Sequence, residues 1–572
     1  MEIFEGINAS AGVGIGTVLL VEEPTLEYES RTIEDTDAEK ARFHAAIEGY
    51  VAYTQAQATD MAERVGEKEA EILTGHIAMI ADPFMQGEMD KLIEGGTCAE
   101  DALTQVCDMF ATMFEATGDE LTMQRATDIR DVKGGVLAEL LNKRPVDIGA
   151  VPQGTVLVTH DLTPSMTAGI RPGTVVGVVT ETGGMTSHSA ILARAMELPA
   201  VLSVEDACTK LVDGMQVIID GGRGTVTINP DADVLSAAQK EQERLAAQKQ
   251  ELNKFIGCRT VTADGDVVEL FANIGKPEDA VQAMDRDAEG IGLFRTEFLF
   301  MDRTAMPTEE EQFEAYKKVA LTCKGKPVII RTLDIGGDKE IPYMGLEHED
   351  NPFMGFRAIR YCLAREDIYR AQLRALLRAS AFGDIRIMVP LVTCVDEVTA
   401  VRDLLARYMQ EFDNEGVDYN KEIQVGAMVE TPAAALMADE LAKVCDFFSI
   451  GTNDLTGYTM ACDRGNDKVR YLYSTYNPAV LRSIRNVIAA ANEAGIMVGM
   501  CGEAAANPLL IPLWVAFGLG EYSVNATSVL ATRAAISTWS KADAQALADR
   551  VMALPTATEI YEELKAEVEQ QA

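Results

Sequence analysis

At 572 residues the chain is too long for one hydrophobic core and calls for about three domains. Its 47% apolar and 24% charged residues are ordinary for a soluble globular protein, and no apolar run approaches the roughly eighteen residues of a membrane span. With 50 basic residues against 90 acidic the formal charge is −40, which disfavours nucleic acid and anionic lipid and favours basic partners.

The chain opens with Met1-Glu-Ile-Phe-Glu-Gly6, which lacks the basic start and apolar run of a secretory signal; a cytoplasmic location is expected. Gly6 to Leu20 is glycine-rich and then β-branched, a turn feeding a strand. From about Asp35 to Leu141 the apolar residues recur with helical spacing, broken at Gly66, Asp82-Pro83, Gly95-Gly96 and Gly118, which predicts a helical bundle. Strands return at Gly154–Thr159, Thr174–Thr180, Gln216–Asp220 and Thr225–Ile228, so the bundle reads as an insertion into a β/α domain. After Pro230, a stretch rich in Ala, Gln, Glu and Lys up to Phe255 predicts a solvated connecting helix.

From Thr260 onward short apolar runs alternate with helical stretches. The predicted strands are Val268–Ala272, Gly290–Phe294, Val328–Ile330, Ile385–Val389, Val425–Val429, Phe447–Ile450, Met497–Met500 and Tyr522–Val524. Eight such β/α units predict a closed (β/α)8 TIM barrel. Directly after these strands stand Asn273, Arg295, Arg331, Glu430, Asn453 with Asp454, and Cys501, at the carboxyl ends where such barrels keep their chemistry.

Two sites emerge. In Thr182-Gly-Gly-Met-Thr-Ser-His188, a strand meets a glycine turn and a helix start, where the first N–H groups favour an anion. An imidazole there is a nucleophile that stays substantially neutral near pH 7 and passes a phosphoryl group onward; His188 as a mere helix cap is the blander alternative. In the barrel, Arg295, Arg331 and Arg464 offer guanidinium forks for phosphate and carboxylate oxygens. Glu430 and Asp454 supply two oxygen ligands of the kind magnesium prefers, or pair with the arginines. The ten cysteines form no CxxC pair, which fits reduced thiols; Cys501, ending the seventh barrel strand, is placed to give a proton to carbon.

These motifs, with Gly-Leu-Phe-Arg295-Thr-Glu-Phe-Leu, Arg331-Thr-Leu-Asp-Ile-Gly-Gly-Asp-Lys339, Asn351-Pro-Phe-Met-Gly-Phe-Arg357-Ala-Ile-Arg360, Thr452-Asn-Asp454-Leu, Asp463-Arg464-Gly-Asn and Cys501-Gly-Glu, closely resemble the enzyme I family, the phosphoenolpyruvate-protein phosphotransferases of the bacterial sugar phosphotransferase system, over nearly the whole chain. The resemblance implies His188 as the phosphorylated residue, Arg295, Arg331, Asn453 and Arg464 as phosphoenolpyruvate contacts, and Asp454 beside them. It further implies Glu430 and Asp454 as Mg²⁺ ligands, Cys501 as proton donor, pyruvate as product, and a homodimer formed through the barrel. The expected layout is a phosphohistidine swivelling domain at 1–31 plus 146–229, a helical carrier-binding subdomain at 32–145, a linker helix at 230–258 and the phosphoenolpyruvate-binding barrel at 259–572. The helical subdomain is the expected dock for the histidine phosphocarrier protein, with Glu63, Glu67, Glu69 and Glu71 near His76 facing a basic carrier or only solvent. His188 is expected to swing between barrel and carrier about Gly221-Gly222, Pro230 or Gly257. Departures from the family pattern are Met185 where arginine is frequent, Gly457 where glutamine is, and Ala504-Ala-Ala-Asn507. The rival readings are a pyruvate phosphate dikinase or phosphoenolpyruvate synthase, for which no nucleotide motif precedes the bundle, and a carrier-binding regulatory paralogue.

Overall fold

The computed structural model describes residues 2–571 apart from 22–25, 65–66, 116–119, 144–147, 149–150, 163–165, 167–169, 171–172, 185–186, 302, 304, 337–340, 464–465 and 467. The side chains of Glu63, Glu67, Glu69, Glu71 and His188 also lie outside the described residues, as do Gly66, Gly118, Met185 and Arg464 altogether. Two compact units result, Met1–Lys249 and Gln250–Ala572.

The first unit is built on an eight-stranded mixed sheet of strands β1 (Glu2–Glu5), β2 (Ile7–Ser10), β3 (Val13–Leu20), β4 (Thr155–Thr159), β5 (Val175–Thr180), β6 (Ala200–Leu202), β7 (Gln216–Asp220) and β8 (Thr225–Ile228), in the order β1-β8-β7-β3-β4-β5-β6-β2. β1 and β2, consecutive in the chain, are the two edges. The segment from Gly6, read as a turn before one strand, is in fact an edge strand of its own, and β1 and β6 carried no separate sequence signal. Only Gly6 separates the edges, so the chain passes from one to the other in a single residue and the sheet curls round on itself. Gly6 donates its N–H to the Gly224 carbonyl at 2.9 Å, and a Cβ on it would stand 2.5 Å from the Leu202 carbonyl oxygen, so only glycine fits this crossing.

Between β3 and β4 the chain forms helices α1 (Thr36–Arg64), α2 (Glu67–Ile80), α3 (Pro83–Glu94), α4 (Ala99–Glu115) and α5 (Glu120–Leu140). The breaks at Asp82-Pro83 and Gly95-Gly96 bound α3 for local reasons. The Asp82 carboxylate accepts the Phe84 and Met85 amides, Pro83 fills the first helical position, and Gly96 turns the chain with φ +92°. Phe43, Ile47, Met89, Ile93, Leu103, Val106, Val132 and Val136 form a core separate from that of the sheet. Helix α6 (His188–Ala195) follows β5, and α7 (Ala232–Asn253) is the largely exposed helix that the polar stretch after Pro230 predicts.

The second unit is the barrel. Strands β9 (Glu269–Ile274), β10 (Ile291–Arg295), β11 (Val328–Arg331), β12 (Ile385–Val389), β13 (Val425–Val429), β14 (Phe447–Ile450), β15 (Met497–Met500) and β16 (Glu521–Asn525) all pair in parallel, and β16 closes on β9 from Glu521 opposite Glu269 to Asn525 opposite Asn273. The eight predicted strands are all present, shifted by two residues at most. Phe271, Leu293, Ile329, Met388, Met428 and Phe447 fill the interior, which makes it a packed plug beneath the mouth. Among the described residues no helix is long and apolar enough to cross a membrane, and all ten cysteines are free thiols.

Candidate active site

At the carboxyl ends of the barrel strands lies a cavity of about 580 Å³ whose lining includes Asn273, Arg295, Arg331, Glu430, Asn453, Asp454 and Cys501. Barrel geometry brings them together because each stands at or just beyond the carboxyl end of a strand that points at the same mouth. Arg295 is the last residue of β10 and exposed, Arg331 ends β11, and Glu430 follows β13. Asn453 and Asp454 stand in the first turn of the helix Thr452–Met460 that follows β14. Cys501 follows β15. Arg464 lies outside the described residues.

Arg331 takes its ion pairs from carboxylates other than the two that sequence reasoning weighed. Arg331 pairs with Glu297 at 2.9 Å and with Asp334 at 3.2 Å, and Asp334 also takes a guanidinium nitrogen of Arg357 at 2.9 Å. All four side chains are nearly buried. Burial works against the charge on Arg331, but Glu297, Asp334 and Glu430 outweigh it and hold its pKa above the ordinary value. The group is therefore a fixed cation with its fork held in place before any ligand arrives. Glu297, Asp334 and Arg357 were missed as site residues. They sit inside motifs already singled out, two residues after Arg295, three after Arg331 and in the 351–360 segment, and only the folded chain shows which acid meets which base.

Glu430 is fully buried; one of its oxygens accepts the Leu391 amide at 2.6 Å. Burial, then the like charges of Asp454 and Asp334, push its pKa well above the carboxylate range. Two carboxylates that repel each other at the edge of a polar cavity form a donor set in want of a cation, and magnesium takes one or two carboxylates while filling its remaining positions with water and substrate oxygens. The residues fit a divalent metal on that ground. Among the described residues no third His, Cys, Asp or Glu joins them in a protein-only cage.

Burial pushes the Cys501 thiol up to about 12, so it is a protonated thiol across the neutral range, its Sγ donating to the Ile450 carbonyl at 3.8 Å. Its main chain is held by Asn273, whose amide donates to the carbonyls of Cys501 and Ser523 at 3.2 Å each. The Asn453 side-chain oxygen accepts the Glu503 amide at 3.4 Å, which ties the β14 and β15 loops across the mouth.

In the first unit, Ser187 caps α6, its hydroxyl oxygen accepting the Ala190 amide at 3.3 Å and donating to the Gly184 carbonyl at 2.8 Å. His188 is thereby the first residue of the helix. Gly183 has φ +104°, as the glycine turn requires, and a side chain on Gly184 would meet nothing within 4 Å, so the backbone is open at that point.

A preorganised anion-binding mouth on a (β/α)8 barrel defines an enzyme that works on a small phosphorylated or carboxylated substrate. Three family models agree, namely "PEP-utilising enzyme, N-terminal" over residues 5–125, "PEP-utilising enzyme, mobile domain" over 151–224 and "PEP-utilising enzyme, PEP-binding domain" over 249–540. The chain is 46% identical over 561 residues to the phosphoenolpyruvate-protein phosphotransferases of Bacillus sp. (strain S) and Geobacillus stearothermophilus, covering 98% of this chain and 97% of each relative. To the enzyme of the same name from Bacillus subtilis (strain 168) it is 43% identical, covering 98% of both. The chain belongs to the phosphoenolpyruvate-protein phosphotransferase family.

Proposed function

We infer that the chain transfers the phosphoryl group of phosphoenolpyruvate to His188 and from there to a histidine phosphocarrier protein, releasing pyruvate. The observation that carries this reading is the convergence of Arg295, Arg331, Asn453, Glu430, Asp454 and Cys501 on one cavity. Arg331, rigidly paired, and Arg295, open to solvent, bind the phosphate and carboxylate oxygens of the substrate, joined by Arg464, while the Asn453 amide supplies a further donor. Glu430 and Asp454 hold Mg²⁺, which when bound neutralises charge on the phosphoryl oxygens. An imidazole nitrogen of His188 forms a bond to phosphorus as the bond to the enol oxygen breaks, and that bond's electron pair stays with the pyruvate enolate. Cys501 then gives its proton to the methylene carbon, for which a thiol that remains protonated at neutral pH is suited.

The helical insertion is the proposed dock for the carrier. Its exposed Phe84, Met109 and Met113 support this, with the protein's negative charge favouring a basic partner. Exposed Leu436, Met354 and Tyr471 on the barrel support a homodimer through that unit. Incubation with phosphoenolpyruvate labelled on phosphorus and Mg²⁺ tests the central claim. An acid-labile, alkali-stable label on the parent and none on His188→Ala is expected; label retained by the variant rejects it.

A further inference from the structure

The helix Glu366–Ala379 buries an apolar face that includes Ile368, Tyr369, Leu373, Leu376 and Leu377 in the outer core of the barrel. Gln372 stands in the middle of that face and is 1% exposed. An amide among apolar side chains costs free energy unless its polar atoms find partners. Here they do. The Gln372 oxygen accepts the Leu333 amide at 2.9 Å, and its nitrogen donates to the hydroxyls of Thr296 and Tyr316 at 3.2 Å each.

Each of these bonds has its direction fixed by the next. The one proton of the Thr296 hydroxyl goes to the Arg331 carbonyl at 2.8 Å, and that of Tyr316 goes to the Gln312 side-chain oxygen at 3.1 Å. Both hydroxyl oxygens are left to accept, which matches the two amide protons of Gln372. Thr296 directly follows Arg295, and Leu333 lies two residues beyond Arg331. Gln372 therefore holds the loop after β10 and the loop after β11 at once, while Thr296 binds one loop to the other. From the same helix face the Tyr369 hydroxyl donates to Thr332 at 3.4 Å. All of these side chains are buried, and Gln372 is not among the residues that line the cavity, so it meets the mouth only from behind.

We propose that Gln372 is a positioning residue for phosphoryl transfer: by bonding Thr296 and Leu333 it sets the spacing of Arg295 and Arg331 across the mouth. The inference rests on those arginines holding the phosphate and carboxylate oxygens of phosphoenolpyruvate. Glu297 and Asp334 grip the charged end of Arg331, whereas Gln372 fixes where the two loops stand relative to each other. Without this strut both cations remain at the cavity and substrate still binds. What loosens is the alignment of phosphorus with the incoming imidazole, and transfer of this kind is sensitive to displacements of about an ångström. The loss therefore falls on the rate more than on affinity.

The test is single-turnover labelling of the full-length protein by phosphoenolpyruvate labelled on phosphorus, with Mg²⁺, over a range of substrate concentrations and well below the melting transition of each variant. Gln372→Met, close in length but without the polar atoms, is expected to lower the saturated labelling rate about ten- to a hundredfold while raising the half-saturating concentration less than about threefold. Thr296→Val should show a loss of the same kind, and Thr296→Ser, which keeps the hydroxyl, should recover most of it. The double variant Gln372→Met/Thr296→Val should lose no more than about the larger single loss, because both changes remove one strut. A merely structural role would lower thermal stability and leave the saturated rate at the parent's value. That result overturns the inference, as do losses that multiply in the double variant or a change confined to half-saturation. Should Gln372→Met fail to fold, the Thr296 variants decide, and a parental rate in Thr296→Val overturns it. Label retained on His188→Ala removes the underlying reading as well, whereas a blank His188→Ala beside an unaltered Gln372→Met removes this inference alone.

Discussion

In the barrel, Arg331 is gripped by Glu297 at 2.9 Å and Asp334 at 3.2 Å among nearly buried neighbours, while in the first unit the turn before His188 is held by the Ser187 hydroxyl donating to the Gly184 carbonyl at 2.8 Å, with the backbone open at Gly184. On the proposed reading the barrel mouth handles the phosphoryl group during bond breaking and the turn before His188 carries it, so the two regions divide the work. A mouth that stabilises charge during bond breaking needs dipoles and charges fixed in advance, because reorganising them during the reaction would cost free energy. A turn that collects a group and hands it to a second protein needs an accessible acceptor, and the segment before His188 offers a glycine bend and a helix cap for it. Barrel substitutions should therefore disturb chemistry and stability together, and substitutions near His188 should disturb transfer alone.

The largest expected effect is at Arg331. Arg331→Ala should lower the rate of His188 labelling about 10³-fold in rapid quench, and should destabilise the barrel by about 3–5 kcal/mol in denaturant titration because Glu297 and Asp334 lose the charge between them. Loss of rate without loss of stability would mean that the buried network is not what holds the arginine. Next, Cys501→Ser should slow the appearance of pyruvate protonated at its methyl carbon about 10²-fold while single-turnover labelling of His188 persists. Equal losses in both steps would remove the assignment of Cys501 as proton donor.

A smaller effect concerns pH. Because burial holds the Cys501 thiol at about 12, the protonation step should show no alkaline limb between about pH 7 and pH 9, where an ordinary thiol near 8.5 would ionise. A fall there would place the thiol in a wetter site than its burial implies. Smaller still is the effect at Glu521, a fully buried side chain on β16 whose two oxygens have no hydrogen-bond partner among the described residues. Burial first and then Glu269 raise its pKa, with Arg386 opposing. The neutral acid is the folded form, so its contribution is complete below the carboxyl's unfolded value and is lost as pH rises through the folded one. Stability of Glu521→Gln should lack that decline, a difference of about 1–3 kcal/mol near neutrality in urea titrations. Parallel stability curves would show that Glu521 is satisfied in solution.

The barrel was readable in advance because its strands are short apolar runs, most of them followed closely by a polar residue at the mouth, and that period survives in a single sequence. The crossing at Gly6 was not, since its reason is a carbonyl 196 residues away, at Leu202, which leaves no space for a side chain. The partners of Arg331 were likewise hidden. The sequence offers Glu430 and Asp454 as conspicuous acids, yet the ion pairs go to Glu297 and Asp334, because the loops after β10 and β11 are neighbours in the closed sheet.

By itself the sequence determined the kinds of element, the eight-fold β/α repeat, the inserted helices and the residue types at each strand end, since these follow from local periodicity and turn chemistry. The tertiary structure alone decided which charges neutralise one another, that Cys501 and Glu430 are dry enough for their protonation to shift, and that Gln372 reaches the loops behind both arginines. Those properties depend on distance and on exclusion of water, and both are set by segments remote in the chain that packing brings together.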